Sequence, residues 1–295
     1  MGELAELGAK IDSGISTMWD YYYGGWDYPA VSYETIFGYY DDAPTAAGMS
    51  GIRTQVLAAM KTLAYSGQGA VAGGEGITPE GRYGGVLRVG DHLDPWQGAA
   101  RNSFDDDVKD QIQVVPQSLF VVASALVGAL DAEAEVWDKA RADVSTAGNK
   151  ALNAIEAAQD KDSGSASFAL TVLAAVGTIA LSVATAGAGA AVAVAVASTA
   201  IGAASAGASA VTVDWHDTDD PAVIVKNLND SLQQIQQHTG DRESIISTGL
   251  AGAYELVVND LARTSTGAQD IYPKFHFIQP YLAKHTGGLG SWTGA

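Results

Sequence analysis

Asp94-Pro95-Trp96-Gln97-Gly98-Ala99-Ala100 opens a stretch that runs to Ile155 and decides how the chain folds. Asp94 is a good helix N-cap, Pro95 suits the first helical position, and Gln97 stands where a capping box needs an amide or acid. Apolar residues then recur at helical spacing: Phe104, Val108, Ile112, Val115, Leu119, Val122, Leu126 and Leu130. The same phase continues through Trp137, Ala140, Val144, Leu152 and Ile155. Such a stripe predicts a long amphipathic helix with one face made for burial. Asp105, Asp106 and Asp107 fall toward its positive end, and Pro116 lies inside the pattern, where a proline kinks a helix.

Working outward, residues 3–18 predict a shorter helix with Leu4, Leu7, Ile11, Ile15 and Met18 on one face. The segment from Trp19 to Tyr40 is dense in aromatic residues and is broken by Gly24-Gly25 and Pro29. It reads either as a partner-binding or membrane-interface surface, or as an irregular cap folded over the helices. Residues 45–65 predict a helix whose stripe is Met49, Ile52, Val56, Met60 and Leu63. A glycine-rich loop, Gly67 to Gly90, follows it. Gly73-Gly74-Glu75-Gly76 lies there without a Lys-Ser/Thr pair or a preceding strand, so it reads as loop and not as a phosphate cradle.

Trp96-x-Gly98, then Ala100, Phe104 and the long helix after them resemble the WxG family of type VII (ESX) secretion substrates, over roughly residues 45–160. The resemblance implies a Trp-x-Gly turn joining two antiparallel helices, which pair with a partner or a second copy as a four-helix bundle. Partner-binding residues would then be Trp96, Gly98, Phe104, Val108, Ile112, Val115, Leu119, Val122 and Leu126. Read without it, Trp96 anchors a helix start in a core. Tyr23-Gly24-Gly25-Trp26-Asp27 spells the family's Tyr-x-x-x-Asp export signal, but ahead of the hairpin and across two glycines that weaken a helix. No tyrosine after Trp96 has an acid four residues later. That departure fits a protein carried by a partner that holds the signal.

From Ser163 to Val213 the sequence has no charged residue. This is about 50 residues, enough for two helices of roughly 20, each able to cross a hydrocarbon core. Gly187-Ala188-Gly189 marks the turn. Phe168, Leu170, Leu173, Val176 and Ile179 make the first arm greasy. The eight large apolar residues between Phe168 and Val183 contribute roughly −2 to −5 kcal/mol to insertion before polar neighbours subtract. The second arm is weaker but carries small residues at helical spacing, Gly202 and Ala206 among them, which let backbones approach closely. Three readings stay open: a buried hairpin, a membrane hairpin, and a hairpin packed in one state and inserted in another. Val192, Val194 and Val196 also fit a strand. An apolar helical hairpin after a WxG region resembles the larger Esp-type secretion-associated proteins.

Beyond it, Asp214 to Asp220 gathers His216 and four carboxylates, a set a metal could use, but one that more often is a solvated loop whose last Asp caps the next helix. Two helices are predicted there: 221–237, with Ile224, Leu228, Leu232 and Ile235, and about 242–263, with Ile246, Leu250, Tyr254, Val258 and Leu261.

The expected fold is mainly α: an elongated antiparallel helical bundle with a Gly/Ala-rich hydrophobic helical hairpin. It divides into an N-terminal helix and aromatic segment at 1–44, a WxG-like hairpin at 45–160, the charge-free hairpin at 161–213, and a helical pair with tail at 214–295. A net charge of −18 over 295 residues argues against nucleic acid and anionic lipid as electrostatic partners. The absence of cysteine excludes a disulfide framework and thiolate metal sites. No Sec-type signal peptide is visible at the N-terminus, so export to the envelope or beyond would use another route. No nucleophile elbow, zinc pair or dinucleotide fingerprint is present, and the five histidines are scattered. The reading is therefore a non-enzymatic, cofactor-free, secreted protein acting by helix–helix association. The alternative is a pore-forming or permeabilising protein that inserts 166–211 into a bilayer.

Overall fold

The structure is a computed structural model that describes residues 2–24, 31–64, 77–78, 97–104, 110–159, 168–172, 211–215 and 220–263. These residues are mainly helical. In chain order they form α1 (Glu3–Tyr23), α2 (Tyr33–Asp41), α3 (Ala46–Leu63), α4 (Ala99–Phe104), α5 (Asp110–Gln159), β1 (Phe168–Val172), β2 (Val211–Trp215) and α6 (Pro221–Arg263). The chain divides into two compact units. One comprises Met1–Gly51, Leu130–Ile179 and Ile201–Ser247, the other Ile52–Ala129, Ala180–Ala200 and Thr248–Ala295.

In the first unit, α1 buries Leu4, Ile11, Ile15 and Met18, the face its spacing predicts. The helix runs on to Tyr23 and stops where Gly24, in a left-handed conformation, donates its N–H to Asp20 O. Its first residues have no side-chain cap of their own, because Gly2 precedes them. Asp41, at the far end of α2, supplies the acceptors: Leu4 N and Ala5 N donate to its two carboxylate oxygens at 3.3 and 2.9 Å. The service is returned by α1. Tyr33 N and Glu34 N, at the start of α2, donate to the two oxygens of Asp12, both at 3.0 Å. Each carboxylate satisfies two N–H groups at a positive helix end, and each such cap stabilises by about 1 kcal/mol. The two backbones lie close at this point. A Cβ added at Gly8 would stand 2.7 Å from Glu34 N and nearer still to the Tyr33 carbonyl.

The aromatic segment is thus helical in its described parts, and it divides in two. Tyr33, Phe37 and Tyr40 enter the core, whereas Tyr21, Tyr22, Tyr23 and Tyr39 stay exposed. Phe37 and Tyr33 are packed in one cluster with Trp137, Ala140, Val144, Ala147, Ala151 and Ile155 of α5 and with Ile224, Leu228, Leu232 and Ile235 of α6. Fully burying one such side chain stabilises by roughly 1.5–3 kcal/mol. Arg141 of α5 closes the C-terminal end of α2, donating to the carbonyls of Tyr40 at 3.0 Å, Ala43 at 2.6 Å and Pro44. The Tyr40 carbonyl is an orphaned acceptor at the negative end of α2, where a guanidinium is well placed, and those of Ala43 and Pro44 lie in the link to α3.

Two expectations change in this unit. The C-terminal pair of helices is one helix, Pro221–Arg263. Thr239-Gly240 does not break it: the Thr239 hydroxyl donates back to Ile235 O at 2.8 Å, and a lone glycine costs only about 1 kcal/mol. Asp220 does cap this helix, accepting from Ala222 N at 2.8 Å. Phe168 and Leu170, expected on a helical hairpin, instead lie on strand β1, which pairs antiparallel with β2. The register sets Phe168 against Trp215, Leu170 against Val213 and Val172 against Val211, apolar with apolar, and Thr171 against Thr212. Matched β-branched and aromatic pairs favour a ribbon over a helix at these two pentapeptides. Residues 173–210, with Leu173, Val176, Ile179, Gly202, Ala206 and the Val192–Val196 alternation, lie outside the described residues.

In the second unit, Met60 of α3 and Phe120 and Val127 of α5 form one buried cluster with Ala64 and Ile77. Val56, Leu57 and Leu63 pack at its edge. The long helix does not start at Asp94. Gln97 and Gly98 are not helical; α4 covers Ala99–Phe104, and α5 covers Asp110–Gln159 with Pro116 inside it. Asp94, Pro95 and Trp96 are outside the described residues, as are 105–109.

The reciprocal caps give a direct test. Asp12→Ala and Asp41→Ala should each lower stability by about 1–2 kcal/mol, and Gly8→Ala by about 1–3 kcal/mol through overpacking against backbone. Urea unfolding followed by far-ultraviolet circular dichroism reads all three.

Candidate functional site

The glycine of Trp-x-Gly stands at a turn. Gly98 has φ +93°, a region that L side chains rarely adopt, and its carbonyl accepts Arg101 N at 3.1 Å and Asn102 N at 3.2 Å, so it opens α4. Nothing lies within 4 Å of a Cβ built there, so it is the backbone angle and not crowding that calls for glycine. Phe104 lies on α4, and Ile112 and Val115 lie on α5. Trp96 and Val108 are outside the described residues.

Further along α5 the expected row proves to be out of phase with the core. The second unit buries Phe120, Ser124 and Val127 completely, while Leu119 and Val122 are half-buried and Leu126 is 37% exposed. The physical reason lies in Leu119-Phe120-Val121-Val122-Ala123-Ser124-Ala125-Leu126-Val127, which is apolar nearly all round. Periodicity cannot choose a face on such a helix, and the fit of Phe120 with Met60 does. From Trp137 onward the predicted phase holds, with Trp137, Ala140, Val144 and Ile155 buried. Leu119, Val122 and Leu126 therefore make a second apolar row at helical spacing that is only partly covered. Ile52 of α3, 55% exposed, is a further uncovered apolar residue of the same unit.

A feature that sequence reading did not find is a cavity of about 690 Å³ in the first unit, walled by α2, α5 and α6. Its lining includes Tyr39, Tyr40, Trp137, Gln233, Gln236 and Glu243. Trp137 is anchored twice. Its ring packs against Tyr39 and Tyr40, with centroids at 6.0 and 6.3 Å, and its Nε1–H donates to Glu133 Oε1 at 2.9 Å. Burial, helped by Tyr39 close by, pushes the Tyr40 hydroxyl up to about 12. Glu243 is raised above the ordinary carboxylate value by desolvation, then by the negative charge of Glu133, then by a hydrogen bond between the two carboxyls. Glu133 and Trp137, four apart on α5, had a local signal as a helical pair. Glu243 had none, since only the packing of α6 on α5 brings it to them.

The described residues include no cluster of His, Cys, Asp and Glu fit to hold a metal ion, and no described helix is long and apolar enough to cross a membrane. Tyr23, whose hydroxyl donates to Asp220 at 2.6 Å, is tied to the start of α6; that bond, more than burial, raises its pKa. Comparison with protein-family models, with curated proteins and with solved structures finds no match to this chain.

The acid pair has a pH signature. A carboxyl whose folded pKa is raised binds its proton more tightly in the folded state. Its contribution to stability is present below the ordinary carboxylate range and is lost as pH rises through the raised value. Glu243→Gln keeps the hydrogen bond to Glu133 and removes the repulsion. The variant should unfold at higher urea than the parent at pH 7, with the gap closing toward pH 4.

Proposed function

We propose that the protein is a type VII secretion-associated helical protein that works by helix–helix association and makes or breaks no covalent bond. The observation that carries this reading is the half-exposed apolar row Leu119, Val122 and Leu126 on α5, beside a core that already uses Phe120 and Val127. A helix with two adjacent apolar faces, one filled from within, is suited to receive a second helix on the other. The turn conformation of Gly98 between α3 and the long α5 supports the WxG resemblance, in which such a turn joins paired helices. The occupant in this reading is a small WxG-type partner or, without one, a second copy of the chain. That partner would hold the Tyr-x-x-x-Asp signal this chain lacks after Trp96, and would carry it out of the cell. The association needs no cofactor, no nucleic acid and no membrane-spanning helix.

Val122→Lys with Leu126→Lys tests it. Light scattering after size exclusion should show the parent protein as a multimer, or as a complex with a co-expressed WxG-type partner. The double variant should run as a monomer with an unchanged helical circular-dichroism spectrum. A parent protein that stays monomeric and captures no such partner, with the variant indistinguishable from it, defeats the reading.

A further inference from the structure

We propose that the cavity walled by α2, α5 and α6 binds a small organic cation that carries N–H donors, a guanidinium or a primary ammonium. The volume, about 690 Å³, lies in the range that encloses small ligands. Two independent features select the charge and the chemistry of the occupant.

The first is aromatic. Tyr39, Tyr40 and Trp137 form a mutually inclined trio, with interplanar angles of 65°, 58° and 85° and centroids 5.6–6.3 Å apart. The three rings pack on one another edge to face or tilted where they line the cavity, and an aromatic face left open there attracts a cation. Tyr39 keeps 64% of its surface exposed although it is large and apolar in its body, so its ring is available to an incoming group.

The second feature is acidic. Glu243 lines the cavity and shares a hydrogen bond with Glu133, whose carboxylate also receives the Trp137 indole N–H. Among the described residues no lysine, arginine or histidine lines the cavity. Gln233 and Gln236 add side-chain amides, each with an acceptor oxygen, to the wall. Carboxylate and amide acceptors require N–H donors, which a fully alkylated ammonium does not have. A guanidinium answers both features at once, since its edge forks to a carboxylate while its plane lies on a ring. The net charge of −18 raises the local concentration of cations around the whole molecule. The site uses none of Leu119, Val122 or Leu126, so it stands or falls apart from the association reading.

The test uses the full chain at low salt and ligand-observed NMR titration with three probes: n-butylguanidinium, its neutral isostere n-butylurea, and tetramethylammonium. The expected result is saturable binding of n-butylguanidinium, with n-butylurea and tetramethylammonium each at least about tenfold weaker. Glu243→Gln, which removes a repulsion and so keeps the fold, should weaken n-butylguanidinium at least about tenfold. Tyr39→Ala, at an exposed position, should weaken it by roughly three- to tenfold. Absence of saturable binding overturns the proposal, as does equal binding of n-butylurea or an unchanged affinity in Glu243→Gln. Tetramethylammonium binding as tightly as n-butylguanidinium overturns the requirement for N–H donors.

Discussion

Asp12 and Asp41 hold the start of the first unit together. Each carboxylate stands at the end of the other helix and takes two backbone N–H groups there. The exchange fixes the pairing of α1 with α2 in a way that apolar burial alone does not, because a greasy stripe tolerates sliding and four directed hydrogen bonds do not. It also sets what the unit can present to its long helices. With α2 locked in register, Phe37 and Tyr33 enter the cluster of α5 and α6, and Tyr39 is left at the surface beside Trp137. Arg141 then fixes the other end of α2 through the carbonyls of Tyr40, Ala43 and Pro44. Both ends of a short helix are thereby satisfied by side chains from elsewhere, which suits a helix of nine residues too short to persist alone.

How much of this could be read from the chain depends on whether the deciding contact was local. The α1 face, Leu4, Ile11, Ile15 and Met18, was legible because polar residues flank it on the other sides. The same holds for Ile224, Leu228, Leu232 and Ile235. The face of α5 near Leu126 was not, because apolar residues surround the helix there and the choice rests on Met60, some sixty residues away in sequence, fitting against Phe120. The β-ribbon was hidden for a similar reason. Phe168–Val172 is a short apolar run that suits helix or strand, and what settles it is Val211–Trp215 across the charge-free segment. Asp12 and Asp41 gave no sign of their role, since each caps a helix it does not precede.

Trp137 shows how one residue joins packing to polar chemistry. Its burial at 6% exposure puts it in the core cluster, yet its indole N–H still needs an acceptor, and Glu133 one turn earlier supplies it. That demand keeps a carboxylate beside a hydrophobic core. Once α6 packs there, Glu243 meets Glu133, and two acids come to share a desolvated margin next to three aromatic rings. The acid pair costs stability in the folded state. A chain selected for packing alone would place an amide or an apolar residue at one of the two positions.

The two units also differ in how far they satisfy their own apolar surface. In the first, α1, α2, α5 and α6 all contribute to one cluster, and the described exposed aromatic residues are tyrosines with hydroxyls for water. In the second, the described core rests on Met60, Ala64, Ile77, Phe120 and Val127, while Ile52 and Leu126 keep 55% and 37% of their surface in solvent with no polar group to offer it. A tyrosine at the surface still has a hydroxyl for water. An isoleucine and a leucine on separate helices of one unit have none, and every Å² of apolar surface they keep wet forgoes about 25 cal/mol. The imbalance falls on the part of the chain that carries the Gly98 turn and the first half of α5. It is the physical basis on which the proposed association is placed there, whereas the aromatic segment near the N-terminus gives Tyr33, Phe37 and Tyr40 to the first unit's core and, among its described residues, leaves only hydroxyl-bearing rings exposed.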